Sequence, residues 1–258
     1  MVRPKKQLGQ HFLTDPAIAQ RIVDALRPEP GELVVEVGPG TGVLTGLLLE
    51  KKLPLVPVEI DSESVVHLKE RWPELKETLL EGDFLNLDLD SAAPGNIHLI
   101  GNFPYNISSQ IFFKILENRH KVSSVVCMLQ KEVAARIASP PGSKSYGILS
   151  VLLQAYYGVT SLFTVKPGSF HPPPKVTSGV IRLERNQTEA LACDEKLFFR
   201  VVKTTFNQRR KMIRNSIRPI LLNLDSNFEL LTKRPEQLNV QQFVDLTNWV
   251  ASQKPAEP

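Results

Sequence analysis

A chain of 258 residues with 42% hydrophobic content is long enough to bury a sizeable core, while Cys127, Cys193 and the scattered histidines offer neither a disulfide framework nor a metal-ligand set. No apolar run approaches the roughly 20 residues needed to span a bilayer, and the basic opening Met1-Val2-Arg3-Pro4-Lys5-Lys6 lacks the apolar stretch of a secretory leader, so a cytoplasmic protein is expected. The net charge is only +4, yet eight basic residues and no acidic one fall between Lys196 and Arg218, so the basic character belongs to one segment and points to a polyanionic partner.

Asp15-Pro16 is a helix start, an N-cap followed by proline at the first helical position, and the helix is predicted to reach about Arg27. The run 33–37 (LVVEV) reads as a buried strand, short and β-branched. Strand and helix patterns then alternate. Strands are predicted over 55–59, 77–81, 97–101, 122–129, 158–166 and 175–184, and helices over 43–52, 62–71, 108–118, 131–138 and 147–157. That alternation predicts an α/β fold, a mostly parallel sheet with helices on both faces. Pro57 conflicts with its strand, because it removes a ladder donor. Residues 139–145 read as an exposed loop and 186–192 as a linker, which predicts an α/β domain over 1–185 and a helical, basic domain over 186–258. In the latter, Phe198, Val202, Phe206, Ile213 and Ile217 fall on one face of a predicted helix, and Arg200, Lys203, Arg210, Arg214 and Arg218 on another.

The first strand leads into Gly38-Pro39-Gly40-Thr41-Gly42 and then a helix. Such a turn lets the backbone approach a ligand at the carboxyl ends of the strands. The dinucleotide fingerprint G-x-G-x-x-G is not met, because Val43 holds the last position. The G-x-G-x-G pattern suits S-adenosylmethionine better, since that cofactor has no pyrophosphate to bind. A plain structural turn is the alternative. Glu59 ends the second strand, 19 residues after Gly40, where a carboxylate accepts from both ribose hydroxyls; a solvated strand-end acid is the bland reading. Asp83 and Phe84 follow the third strand, positioned for an adenine amino group and ring. Three ligand-type elements at three successive strand ends are far more specific than any one.

The fourth strand ends in Asn102-Phe103-Pro104-Tyr105. An adenine amino nitrogen is a poor nucleophile, its lone pair delocalised into the ring. Acceptors on its two hydrogens, the Asn102 side-chain oxygen and a nearby backbone carbonyl, would turn the lone pair toward an electrophile. Pro104 keeps Phe103 extended and brings no competing N–H. Tyr105 offers a stacking face, worth about 1–3 kcal/mol per base. An ordinary turn with Asn102 as a helix cap is the competing reading.

The segments Gly9-Gln10-His11-Phe12-Leu13, Glu36 to Thr45, Val58-Glu59-Ile60-Asp61, Gly82-Asp83-Phe84-Leu85, Asn102 to Ser108, Phe170 to Val176 and Gln208-Arg209-Arg210-Lys211, in this order, resemble the ribosomal RNA adenine N6-methyltransferase family over nearly the full chain. Gly-Pro-Gly in the first loop, Asn-Ile after Pro-Tyr, and Gln-Arg-Arg-Lys favour its 16S rRNA branch over the 23S rRNA, macrolide-resistance type. The resemblance implies a Rossmann-like class I methyltransferase sheet of seven strands, one antiparallel, followed by a small all-helical domain. It implies S-adenosyl-L-methionine as cofactor, with His11 and Leu13 closing the pocket, Gly38 and Gly40 under the methionine part, Glu59 on the ribose with Ile60 in the same pocket, and Asp83 with Phe84 at the adenine. Asn102, Phe103, Pro104 and Tyr105 would form the catalytic turn, Asn102 also touching the cofactor, and Phe170 would approach the other face of the target base. The chain departs from the family pattern at His11, usually asparagine, at Phe103, usually leucine or isoleucine, and at Pro57.

The reaction so implied is N6-dimethylation of two adjacent adenosines in the 3′-terminal hairpin loop of 16S rRNA within the 30S subunit, coupled to subunit biogenesis. Arg200, Lys203, Arg209, Arg210, Lys211, Arg214 and Arg218 would bind the RNA backbone. With no large exposed apolar stripe, a monomer is expected. A scaffold-type assembly factor without catalysis, and a nicotinamide dehydrogenase, are the readings from other classes; the missing fingerprint counts against the latter.

Overall fold

The computed structural model describes residues 2–221 and 227–253. In chain order the strands are β1 (Phe12–Leu13), β2 (Leu33–Val37), β3 (Leu55–Glu59), β4 (Leu80–Glu81), β5 (Ile97–Asn102), β6 (Val122–Gln130), β7 (Tyr157–Val165), β8 (Phe170–His171) and β9 (Ser178–Arg185). The helices are α1 (Pro16–Ala25), α2 (Val43–Glu50), α3 (Ser62–Arg71), α4 (Leu89–Ala92), α5 (Ser108–Glu117), α6 (Lys131–Ile137), α7 (Ile148–Gln154), α8 (Glu195–Asn207), α9 (Ile213–Ser216) and α10 (Val240–Gln253).

Two compact units result, one of Met1–Ala135 with Gly158–Arg185, the other of Arg136–Tyr157 with Asn186–Pro258. The first holds a seven-stranded sheet in the order β4-β3-β2-β5-β6-β9-β7, a Rossmann-like arrangement. β2 pairs parallel with both β3 and β5, β5 parallel with β6, and β9 lies antiparallel to β6. The central strands are largely apolar because helices cover both faces; Val34, Val35, Leu99, Ile100, Val125 and Val126 are buried. Asp15 caps α1 by accepting from the backbone N–H of Ala17 and Ile18, with Pro16 at the first helical position. Asp61 caps α3 by accepting from the Glu63 N–H and the Ser64 hydroxyl.

Pro57 sits in β3 opposite Glu36. The backbone groups of Pro54 and Val58 face β2, where their carbonyls accept from Val34 and Gly38, whereas Glu59 faces β4, accepting from Gly82. Alternation therefore turns Pro57 toward β4, and pairing with β4 starts one residue later, at Val58 and Leu80. The missing N–H is tolerated on that side, and the strand expected over 77–81 contracts to Leu80–Glu81 with a 3-10 turn at Pro73–Lys76 before it.

Two further expectations are corrected. A single boundary after residue 185 does not describe the units, since 136–157 groups with the C-terminal residues. Within that unit α7 has Leu149 to Leu153 buried without a break, and a helix apolar on all sides must be covered all round. Gln154 donates to the Ile137 and Ser139 carbonyls, and Ser150 to that of Arg136. Nor do the basic residues share one helix: α8 ends at Asn207, the Gln-Arg-Arg-Lys segment turns, and Arg214 falls on the separate, short α9. Thr204, Thr205 and Asn207 are weak helix formers, and the Thr205 hydroxyl bonds back to the Val201 and Val202 carbonyls. Phe198, Val202, Phe206, Ile213 and Ile217 are all buried, so the periodicity reported burial across a break.

Candidate functional site

A cavity of about 270 Å³ opens at the carboxyl ends of β2, β3, β4 and β5 in the first unit. Its wall includes His11, Gly38, Gly40, Glu59, Ile60, Asp83, Phe84, Asn102, Phe103, Pro104 and Tyr105. Sheet register produces this convergence: adjacent parallel strands end together, and the chain leaves each tip through a turn.

The glycine turn forms the floor. Gly38 has φ +68° and nothing within 4 Å of the place its Cβ would occupy, an open cradle on the cavity wall. At Gly40, φ +56°, a Cβ would meet the Phe12 ring at 2.8 Å. Glu59 crosses from the β3 tip to this turn. One oxygen accepts from the Gly40 N–H and the other from the Asp61 N–H, both at 2.9 Å. Burial above all, and the nearby Asp61 charge, push the Glu59 carboxyl above its usual range, against those two N–H donors. A carboxylate has about four acceptor positions, so a pair remains for a vicinal diol. Asp83 accepts from the Leu85 N–H at 2.9 Å and the Asn86 amide at 3.2 Å, which orients its carboxylate beside Phe84. This donor-seeking set, two carboxylates beside an aromatic ring and a glycine cradle, fits an adenosine-type group.

At the β5 tip, the Asn102 amide donates to the His11 carbonyl at 2.8 Å. Since a carbonyl only accepts, that contact fixes the amide orientation and leaves Oδ1 as the acceptor. The Phe103 N–H donates to the Met128 carbonyl, continuing the ladder, while its ring is buried edge-on to Phe112. Tyr105 is held by its hydroxyl, 2.5 Å from Ser178 Oγ at the start of β9, and burial raises its phenol against that hydrogen bond. Its ring faces His11 at 5.7 Å and 28°. His11 Nδ1 lies 2.8 Å from the Pro172 carbonyl, so Nδ1 carries the hydrogen.

Leu13 and Phe170 are placed differently. They are cross-strand partners in the β1–β8 pair, each 4% exposed and part of the apolar core. Leu13 borders a small void of about 30 Å³ shared with Asn102 and Gly38; Phe170 is not on the cavity wall. Sequence reasoning gave no role to Gln10, Phe12 and Asn106, which line the cavity, although all three belong to the segments 9–13 and 102–108 singled out as motifs. It also gave none to Glu36, fully buried beneath the glycine turn, which accepts from the Thr45 hydroxyl at 2.7 Å.

In the second unit Arg200, Lys203, Arg210, Lys211, Arg214 and Arg218 are exposed. Arg209 is half-buried, donating to the Ser143 carbonyl at 3.2 Å and lying 3.9 Å from Glu236, which makes it a packing residue of that unit.

A family model described as ribosomal RNA adenine dimethylase matches residues 1–252. Relatives named ribosomal RNA small subunit methyltransferase A include a protein of Bacteroides fragilis, 54% identical over 100% of this chain and 97% of its own length. Another, of Bacteroides thetaiotaomicron, is 56% identical over 97% and 95% respectively. Among solved structures, a dimethyladenosine transferase from Plasmodium falciparum aligns with a TM-score of 0.77 at 24% identity over 94% of this chain and 98% of that one. The 23S rRNA methyltransferase ErmE aligns with a TM-score of 0.65, also at 24% identity, over 91% and 99%. These last two likenesses concern the fold.

Proposed function

Because the chain belongs to the ribosomal RNA adenine dimethylase family, we propose that it dimethylates N6 of two adjacent adenosines in the 3′-terminal hairpin loop of 16S rRNA, using S-adenosylmethionine and acting as a monomer on the 30S subunit. One observation carries the reading: Glu59, Asp83 and the oriented Asn102 amide share one cavity wall with Tyr105. When bound, the cofactor supplies an electrophilic methyl group on a sulfonium.

The chain's own residues do the rest. Glu59 holds the ribose hydroxyls with its remaining lone pairs, and Asp83 accepts from the cofactor's adenine amino group beside Phe84. Asn102 Oδ1 and the Phe103 carbonyl accept the two hydrogens of the target amino group. This points its lone pair toward the electrophile without needing a general base. Tyr105, anchored by Ser178, supports the flipped base; extrusion from the stack costs a few kcal/mol. The exposed cations of the second unit bind RNA phosphates.

The test is to incubate purified protein with labelled S-adenosylmethionine and unmethylated small subunits, then digest the RNA for mass analysis. Dimethyladenosine from the 16S hairpin is expected. Asn102→Ala should lower turnover on the order of 10²–10³-fold, as loss of an aligned transition-state contact does, while S-adenosylhomocysteine affinity changes much less. Absence of label from the 16S hairpin adenosines, or undiminished turnover by Asn102→Ala, would sink the assignment.

A further inference from the structure

The segment that follows Asp83 is irregular: a 3-10 turn at Phe84–Asn86, two extended residues, then the four-residue α4. Irregular backbone leaves carbonyls short of ladder partners, and two lysines donate to carbonyls along this segment. The Lys114 ammonium donates to the carbonyls of Leu85 at 3.0 Å and Leu87 at 2.5 Å, and lies 5.7 Å from the Phe84 ring centre. The buried Lys121 donates to the carbonyls of Leu89 at 2.7 Å and Ala93 at 2.6 Å, and pairs with Asp90 at 3.1 Å.

These lysines divide the segment between them. Lys114 grips the part next to Asp83 and Phe84, which line the cavity; Lys121 grips the part beyond it. Lys114 also stands on α5, the helix that leaves the Asn102–Tyr105 turn. At 1.5 Å per residue it is about 9 Å along the axis from the helix start. The helix that follows the acceptor-bearing turn therefore suspends the Phe84 turn further along its length.

We propose that Lys114 is a positioning residue that sets the adenine-side wall of the cofactor cavity, and so governs cofactor affinity separately from chemistry. This rests on Asp83 and Phe84 being that wall. Because these bonds exist without cofactor, only the part of their free energy that holds the wall in its binding shape reaches affinity, and about tenfold is the expected effect.

S-adenosylhomocysteine affinity is measured by calorimetry for the full-length protein and for Lys114→Met, Lys114→Arg, Lys121→Met and Asp83→Ala, with melting temperatures for all. Lys114→Met should weaken binding about tenfold and raise KM for S-adenosylmethionine by the same factor, with kcat at saturation within twofold. Lys114→Arg should recover most of the affinity. Lys121→Met should melt earlier with binding within twofold of the parent. If Asp83→Ala weakens binding but Lys114→Met does not, or if both lysine variants weaken it equally, the inference is overturned. If neither Asp83→Ala nor Lys114→Met changes binding, the adenine-wall reading fails and takes the inference with it. Should Lys114→Met not fold, Lys114→Gln is read on the same scale.

Discussion

Glu36 lies two residues before Gly38 and is wholly out of water, with Thr45 as its hydroxyl donor. Burial pushes its carboxyl up to about 8, with the Glu59 charge adding to the effect and the Thr45 contacts opposing it. The native state therefore binds a proton that the unfolded chain releases at ordinary carboxylate pH. Such a raised group gives stability that is complete below its unfolded value near 4.5 and is lost as pH rises toward 8. Glu36→Gln keeps an acceptor for Thr45 and cannot ionise. Its melting temperature should run close to the parent's at pH 5, pull ahead as pH rises, and level off above pH 8, with a limiting slope of about 1.4 kcal/mol per pH unit. A constant difference from pH 5 to pH 9 would contradict a protonated Glu36. The same residue shows where sequence reading stops: Glu36 opens the segment that carries the resemblance, yet nothing inside LVVEV says that its carboxyl is buried against Thr45. That Glu59, Asp83 and Asn102 line one cavity was legible because each stands at or just after the end of a parallel strand. Phe170 misled because its burial comes from pairing with Leu13, far away in the chain, a contact that no local pattern encodes.

At the scale of elements, the N-terminal arm is the part of the site most open to change. It supplies Gln7 to Phe12 to the cavity wall, yet its regular structure is one 3-10 turn, Lys6–Leu8, and the two-residue β1. Its anchor is Asp61, which pairs with Lys5 and accepts from the Gln10 amide at 3.1 Å. Burial alone would raise the Asp61 carboxyl, but Lys5, Gln10, the Glu63 N–H and Ser64 together hold it below its usual range. Asp61→Asn retains the α3 cap, since asparagine caps as well as aspartate, and removes the charge that holds Lys5. Trypsin should then cut after Lys5 and Lys6 several-fold faster, S-adenosylhomocysteine should leave about tenfold faster in stopped flow, and melting should shift little. Unchanged cleavage would show that the arm is held by something other than Asp61. The strand–helix alternation itself was readable from periodicity, and β2, β3 and α3 match it residue for residue. β4 was not, because its length depends on which way the Pro57 nitrogen faces across a strand pair.

The whole molecule divides its chemistry between two units of opposite character. The α/β unit carries the cavity; the helical unit carries the cluster of cations between Lys196 and Arg218. That second unit has its own core, in which Phe206 stacks on Phe243 at 5.9 Å and Tyr146 packs against Phe206 at 6.2 Å. The break after Asn207 changes how the charge is displayed: Arg200 and Lys203 lie on α8, Arg210 and Lys211 on the turn, Arg214 on α9 and Arg218 beyond it. Spread over several short elements, these cations suit a folded RNA surface better than a single groove, and contacts of this kind give affinity without reading bases. Their removal should therefore alter salt dependence more than selectivity. For binding to small subunits or hairpin RNA, each lost phosphate contact should reduce the slope of log K against log salt by about 0.7–0.9. Arg210→Gln with Arg214→Gln should flatten it by about twice that amount, with cofactor affinity and melting temperature close to the parent's. Arg209→Gln should behave differently, lowering the melting temperature because it breaks the contacts to Ser143 and Glu236. If the double variant keeps the parent's slope while an equally conservative change in the first unit flattens it, the RNA face lies elsewhere on the molecule.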